Sequence, residues 1–247
     1  MKKISNKALK ILITAISIFN FQYLYSQQDA TLSIPTYDAI YSFNFRGQKV
    51  GRAEISLTYD ASEEVYVLSQ LSQAEGLAKL FYPNIISEKS TFIFINGELY
   101  PQIFSYEDSK NSDDDFSIQY NLPNRTAVLS NSLGVKEFKL ENNTFDRVSV
   151  RAKLMMDMIE GIEINSYELL ARDGLAINTF EKLDQRNINT DLGNFESTLY
   201  VQNTGSLSRA LNIWVSPNDS YLPIKIEQVV DGEIQTSLLL ESLDWLN

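Results

Sequence analysis

Along residues 41–46 apolar and polar side chains alternate one by one, Tyr41, Phe43 and Phe45 against Ser42, Asn44 and Arg46. Successive side chains of an extended chain point to opposite faces, so a period of two predicts a strand with one face buried. The alternation returns with Ala53, Ile55 and Leu57 against Arg52, Glu54 and Ser56, and again along Val65–Gln70. The segment STFIFINGELYPQIFSY sets two apolar runs around Asn96-Gly97. An Asn-Gly pair accepts positive φ at both turn positions and so predicts a tight hairpin. Asp173-Gly174 and Asp231-Gly232 repeat that grammar between β-rich segments, which predicts an antiparallel meander. Residues 107–115, EDSKNSDDD, read as a looser connection.

One segment departs from the period of two. In FDRVSVRAKLMMDMIEGIE (145–163), Val148, Ala152, Met155, Ile159 and Ile162 fall three or four apart, on one face of a helix. Asp146 suits the N-cap and Gly161 the C-terminal stop. A lone helix must bury its apolar face, so this one is expected to plug the core of the sheet. A second, shorter helical piece is expected at 74–82.

The stretch GQKVG (47–51), set among Arg46, Lys49 and Arg52, raises the question of a phosphate cradle. Such a loop must open a helix whose N-terminus faces the anion. Gly51 is instead followed by RAEISLTYD, which alternates as a strand, and the spacing does not match a nucleotide-binding loop. GQKVG therefore reads as a hairpin tip or bulge, its glycines relieving positive φ.

In TFIFI, Phe92 and Phe94 occupy one face and Ile93 and Ile95 the other, which suggests a strand buried on both sides. A barrel or strongly curved sheet provides such cover. Its interior is either packed solid or left open as an apolar cavity, and small barrels do both. If it is open, the candidate lining residues are Tyr41, Phe43, Phe92, Phe94, Met155 and Trp214.

Composition adds the compartment. The chain of 247 residues begins with Lys2, Lys3, Lys7 and Lys10, then the apolar run Ile11–Phe19, then Ser26 and polar sequence. That is the layout of a signal peptide, with cleavage expected after Ser26. The run falls short of the about 20 residues a membrane span needs. Residues 27–36 read as a flexible lead-in, and 37–247 as a single barrel-like domain. The whole chain is −11, and since residues 1–26 hold four lysines and no acid, the remainder is −15. Such a charge repels nucleic acid. There is no Cys and no His. Disulfides, a lipoprotein anchor, Ser-His-Asp or Cys-His catalysis and ordinary zinc binding are thereby excluded.

The remaining chemistry is sparse. Asp113-Asp114-Asp115 could hold calcium but lacks the glycine and distant glutamate of a helix-loop-helix site, so it reads as a solvated loop. Glu54 and Glu88 lie in expected strands and would serve a carboxylate-pair hydrolase only if they faced inward. The more common outward placement is expected. In WVSPNDSYLP, Pro217, Asn218 and Asp219 form a turn over Trp214. No catalytic, metal or cofactor residue is assigned.

The order of these segments resembles the bacterial domain-of-unknown-function family 3108. The residues that carry it are Gly47 and Gly51, Ala53-Glu54, Gly76-Leu77, Glu88 with Ser90, Leu99 with Pro101, Asp146 before Val148-Ser149, and Trp214, Ser216, Pro217, Asp219, Leu222 and Pro223. The resemblance implies an exported all-β protein with no established activity. The element order is also similar to the open, curved barrels of periplasmic lipoprotein carriers, a likeness of fold alone.

The sequence thus predicts a mainly all-β protein, an antiparallel curved sheet or barrel-like meander of about a dozen strands with one central helix packed against it. It is expected in the periplasm or otherwise exported from a bacterium, with no membrane span after cleavage. The first functional reading is non-enzymatic binding of a lipid, another apolar small molecule or a cell-envelope protein. The alternative is a structural or partner-docking protein with a solid core. A carboxylate-pair carbohydrate hydrolase stands last.

Overall fold

The computed structural model describes residues 34–141, 143–204 and 208–246. The expected signal peptide at 1–26 and the lead-in up to residue 33 lie outside the described residues. Contacts from Ile34 onward gather into one compact unit. The N-terminal half supplies β1 (Thr36–Phe45), β2 (Gln48–Asp60), β3 (Val65–Ala74), β4 (Ile85–Ile95), β5 (Glu98–Asp108), β6 (Phe116–Asn121), β7 (Thr126–Asn131) and β8 (Gly134–Lys139). Then come β9 (Thr144–Phe145), α1 (Ser149–Ile159) and β10 (Ser166–Ala171). The chain finishes with β11 (Gly174–Thr190), β12 (Gly193–Asn203), β13 (Arg209–Ser216), β14 (Leu222–Val230) and β15 (Glu233–Leu246).

Among the described residues all 15 strands share one sheet, in the order β8 back to β1, then β15 back to β9. The strand number exceeds the expected dozen. Neighbours are antiparallel throughout except β9 and β10, which run parallel. The first and last strands pair in mid-sheet, Thr36 opposite Leu246 and Phe45 opposite Thr236. The two edges, β8 and β9, are only five residues apart in sequence, so chain length alone holds Lys139 and Thr144 within about 18 Å. A sheet this wide must curl, and here the curl brings its ends together with no backbone ladder between them among the described residues. Side chains bridge that seam. Arg172, after β10, forms an ion pair with Asp114, before β6, at 2.7 Å and donates to the Asp113 carbonyl at 2.8 Å.

The turns follow their dipeptides. Asn96-Gly97 and Asp231-Gly232 hold φ of 53° and 82°, and 51° and 81°. Arg46-Gly47 adopts the same geometry at 47° and 78°. Asp173-Gly174 differs, because Gly174 (φ 120°) already opens β11 and pairs with Ala171. GQKVG is a hairpin tip followed by a bulge at Val50, where Phe43 faces Gly51 and Asn44 faces Lys49. Gly51 needs no positive φ. It is required because a Cβ there would lie 2.9 Å from Ala74 Cα and closer still to the Gln73 carbonyl. The expected short helix at 74–82 is a 3-10 segment, Gly76–Leu80.

The inner face carries the core: Tyr37, Ala39 and Tyr41 of β1, Ala53, Ile55 and Leu57 of β2, Phe92 of β4 and Phe104 of β5 are all buried. The outer face of β4 is not covered by a second layer. Ile95 is 38% exposed and Ile93 half-buried, so the expected burial of TFIFI on both faces does not hold.

α1 fills the concave side and is buried nearly all round, from Ser149 and Val150 to Met156 and Met158. The expected apolar stripe holds for Val148, Ala152 and Met155, whereas Ile159 and Ile162 lie at the exposed end, 44% and 47% exposed. Asp146 caps the helix as expected. Its Oδ1 accepts from Val148 N and Ser149 N, both at 2.8 Å, and its Oδ2 from the hydroxyls of Ser149 and Ser90, also at 2.8 Å. The Ser90 bond ties the helix start to β4. Gly161, at φ 70°, ends the helix, with Ile162 N donating to the Asp157 carbonyl at 2.8 Å.

Candidate ligand-binding hollow

α1 does not fill its surroundings evenly. Between it and the inner face of β12–β15 lies a hollow of about 370 Å³. The reason is chemical. The facing strand positions interleave apolar Ile213, Val215 and Ile226 with polar Tyr200, Gln202 and Gln228, all of which line the space. The polar groups satisfy one another, Gln202 Nε2 donating to Asn178 Oδ1 at 3.1 Å and Thr236 Oγ1 to Gln228 Oε1 at 3.3 Å. They do not close onto the apolar flank of the helix, where Val150, Leu154, Met155 and Met158 face them.

A second hollow, about 600 Å³, shares Phe43 and Ser72 with the first and is lined further out by Phe45, Val50, Phe81, Tyr82 and Ile86. The Gly76–Leu80 segment overhangs it. Leu77, Leu80, Phe81 and Tyr82 are 79%, 77%, 78% and 72% exposed, an apolar tip at the mouth. Over residues 76–86 Lys79 is the only charged side chain.

Three charged residues line the inner hollow. Arg147, just before α1, forms a close ion pair with Glu88 of β4. Glu88 is buried because β4 turns Glu88, Ser90 and Phe92 inward together, so the outward placement expected for it is corrected. Glu54 is half-buried and pairs with Arg52 at 2.6 Å. Arg151, one helical turn beyond Arg147, donates from Nη1 to Gln70 Oε1 at 2.5 Å. Deeper in the helix, Lys153 pairs with Asp157 at 2.5 Å, and the Tyr167 hydroxyl donates to the same carboxylate. Burial, reinforced by that carboxylate, pushes the Tyr167 phenol far up. Asp146 is fully buried, and burial pushes its carboxyl up despite its hydrogen bonds from Ser149, Ser90 and Val148.

Of the residues expected to line a cavity, Phe43 and Met155 line the inner hollow, and Tyr41 borders a minor cleft beside Arg151. Phe92 and Phe94 line neither large hollow. They pack with Tyr66, Phe92 stacked at 5.7 Å and Phe94 edge-on at 5.2 Å. Trp214 points away from Ile213 and Val215, its immediate neighbours, which line the hollow. It is buried beneath the Arg186 guanidinium at 3.9 Å, and its indole N–H donates to Glu227 at 3.4 Å. The turn beyond Trp214 is as expected, with Ser216 donating to Asp219 at 2.6 Å. The triple aspartate serves its loop: Asp115 accepts from Asp108 N at 2.7 Å, and Asp114 pairs with Arg172. Sequence reasoning weighed Glu88 but expected it to face outward, and it passed over Arg147 and Arg151. The available signal was two arginines spaced i, i+4 on a helix already expected to be enclosed.

The family model for proteins of unknown function DUF3108 matches residues 36–238. No curated protein matches the chain. Among solved structures, a β-barrel-like protein of the DUF1849 family from Brucella abortus is 11% identical, with 86% of this chain and 98% of that chain covered and a TM-score of 0.54. A protein with a YmcC-like fold from Bacteroides fragilis is also 11% identical, over 86% and 97% of the two chains, at a TM-score of 0.35. MucB is 6% identical, over 85% of this chain and 53% of that one, at a TM-score of 0.35. The first of these likenesses shows the barrel-like fold and nothing more.

Proposed function

We propose, from the premise that the chain belongs to the DUF3108 family of proteins of unknown function, that it is a non-enzymatic, exported bacterial envelope protein that binds an apolar, lipid-like molecule beside α1. The observation that carries this reading is the hollow itself, about 370 Å³, walled by a helix and the concave face of the sheet and adjoining an apolar outer hollow of about 600 Å³. Ligand sites commonly have volumes of roughly 300–1,000 Å³ with mostly apolar walls. The exposed tip Leu77, Leu80, Phe81 and Tyr82 stands where such a ligand would enter. Export is supported by the lysine-rich, then apolar, residues 1–26, and among the described residues no helix is long and apolar enough to cross a membrane. The non-enzymatic reading is supported by the engagement of the inward carboxylates: Asp146 caps α1, Glu88 is held by Arg147, and Asp157 is held by Lys153 and Tyr167.

Native mass spectrometry of protein taken gently from the periplasm tests the proposal. A bound mass of lipid size supports it. A clean apo mass that takes up no added fatty acid or lysolipid sinks it.

A further inference from the structure

We propose that the hollow selects an anionic amphiphile, a single hydrocarbon chain ending in a carboxylate or phosphate, and that the Arg151 guanidinium holds its head. This deepens the ligand-binding reading above and rests on it.

The charges lining the hollow are Glu88, Arg147 and Arg151. The first two neutralise each other in a close ion pair. Arg151 has no carboxylate within ion-pair distance among the described residues. Its one side-chain hydrogen bond there is to the neutral amide oxygen of Gln70. The hollow therefore carries one uncompensated positive charge, inside a chain that is −11 overall. A guanidinium has five N–H donors in a planar fork, suited to two oxygens of one carboxylate or phosphate. Half-buried guanidinium without a counter-ion is held at a cost that a bound anion would remove. α1 anchors the Arg151 backbone, which lies between the enclosed residues Val150 and Ala152, and Gln70 orients the head.

The surroundings assign the rest of the ligand. Leu154 and Met155 of α1 and Ile213, Val215 and Ile226 of the sheet provide an apolar wall beside the cation. Phe43 and Ser72 join this space to the outer hollow, where Phe45, Phe81, Tyr82 and Ile86 await the far end of a chain. A neutral hydrocarbon would use the walls and leave the cation unpaired. A free anion without a tail would use the cation and leave the walls bare. An amphiphile uses both.

The test compares delipidated protein titrated with myristate, tetradecyl phosphate and methyl myristate, each below its aggregation threshold and read by native mass spectrometry and displacement of a fluorescent apolar probe. The wild type is expected to bind at least one anion about tenfold or more tighter than the methyl ester, one charge-assisted pairing being worth about that factor. Whichever of myristate and tetradecyl phosphate binds tighter identifies the head. Arg151→Gln is expected to abolish the preference by weakening anion binding to about the level of the ester, and Arg151→Lys to retain part of it. Near-UV circular dichroism verifies that each variant is folded. Equal binding of acid, phosphate and ester by the wild type overturns the role of Arg151 but leaves the ligand-binding reading standing. So does a preference that survives Arg151→Gln. Should none of the three bind, both readings fall.

Discussion

The inner wall of the hollow is a helix that places two opposite charges inside a β-enclosed core, and this makes a sharp prediction about stability. Lys153 and Asp157 meet at 2.5 Å with side chains only 10% and 3% exposed. The Tyr167 hydroxyl also donates to Asp157, and the exposed Glu98 stands 3.7 Å from Lys153. Lys153→Met keeps the length of the side chain and removes the charge. It strands the Asp157 carboxylate in the core with one phenol for company. Breaking a buried pair in this way costs about 3–5 kcal/mol. Asp157→Leu should cost toward the lower end of that range, because the lysine can still turn to Glu98. Each is a large share of the roughly 5–15 kcal/mol by which a domain is stable. At about 2–4 °C per kcal/mol for a chain of this size, Lys153→Met should lower Tm by roughly 10 °C. Replacing the whole group, with Lys153→Met, Asp157→Leu and Tyr167→Phe together, removes both the charges and the need to satisfy them. That triple variant should return to within about 2 kcal/mol of wild type, far short of the summed single effects. Glu98→Gln, at the solvent edge, should cost under about 1 kcal/mol. Urea unfolding followed by tryptophan fluorescence, with calorimetry for Tm, measures all of these. The reasoning is refuted if Lys153→Met costs less than about 1 kcal/mol, or if the triple variant loses as much as the singles combined.

Other outcomes follow from the same structure. Asp146→Ala should cost about 2–4 kcal/mol, from a lost helix cap and two buried serine hydroxyls left without their acceptor. Asp146→Asn keeps an oxygen for the Val148 and Ser149 amides and should cost less than Asp146→Ala. Burial raises the Asp146 carboxyl pKa, so folding favours its protonated form more than the unfolded chain does. Its contribution to stability is therefore greatest at low pH and is lost as pH rises through the raised value, and the asparagine variant should flatten that dependence in pH-resolved urea midpoints. Burial also lifts the Tyr37 phenol from 10 to about 12, against the opposing pull of Arg151. Stability should fall by about 3 kcal/mol from this group as pH climbs from 10 to 12, and Tyr37→Phe should remove that share of the alkaline loss. Gly51→Ala should cost about 1–3 kcal/mol or more, because its methyl would meet the β3 backbone. Leu80→Ser with Phe81→Ser should leave Tm within a degree or two, both being over three-quarters exposed. The same pair should slow uptake of a fluorescent fatty acid from vesicles, and unchanged uptake would remove the tip from the proposed route.

Much of this fold could be read from the sequence because its signals are local. Alternation at Ala53, Ile55 and Leu57 fixes which face of β2 is buried, and Asn96-Gly97 fixes a hairpin, without reference to anything distant. Asp146 and Gly161 bound the helix for the same reason. What the sequence hid is what depends on curvature. The pattern around TFIFI reads as two-sided burial, but a single curled sheet has only one concave side, so Ile95 meets solvent while Phe92 is sealed. Trp214 has the size and apolarity of a lining residue, yet the register of β13 gives the inner face to Ile213 and Val215 and sends the indole outward beneath Arg186. A period of two says which residues share a face, and only the closure of the sheet says which face is inside. The charges of the hollow were hidden for a related reason. Glu88, Arg147 and Arg151 look like surface residues in a one-dimensional reading, since isolated charges seldom lie inside. They become legible only when α1 is taken literally as enclosed. A helix enclosed along most of its length offers its charges little solvent, so each must find a partner nearby or keep one face open to something else. Lys153 finds Asp157, and Arg147 finds Glu88. Arg151, given only an uncharged glutamine, is the remainder of that accounting, and it is the residue on which the proposed ligand turns.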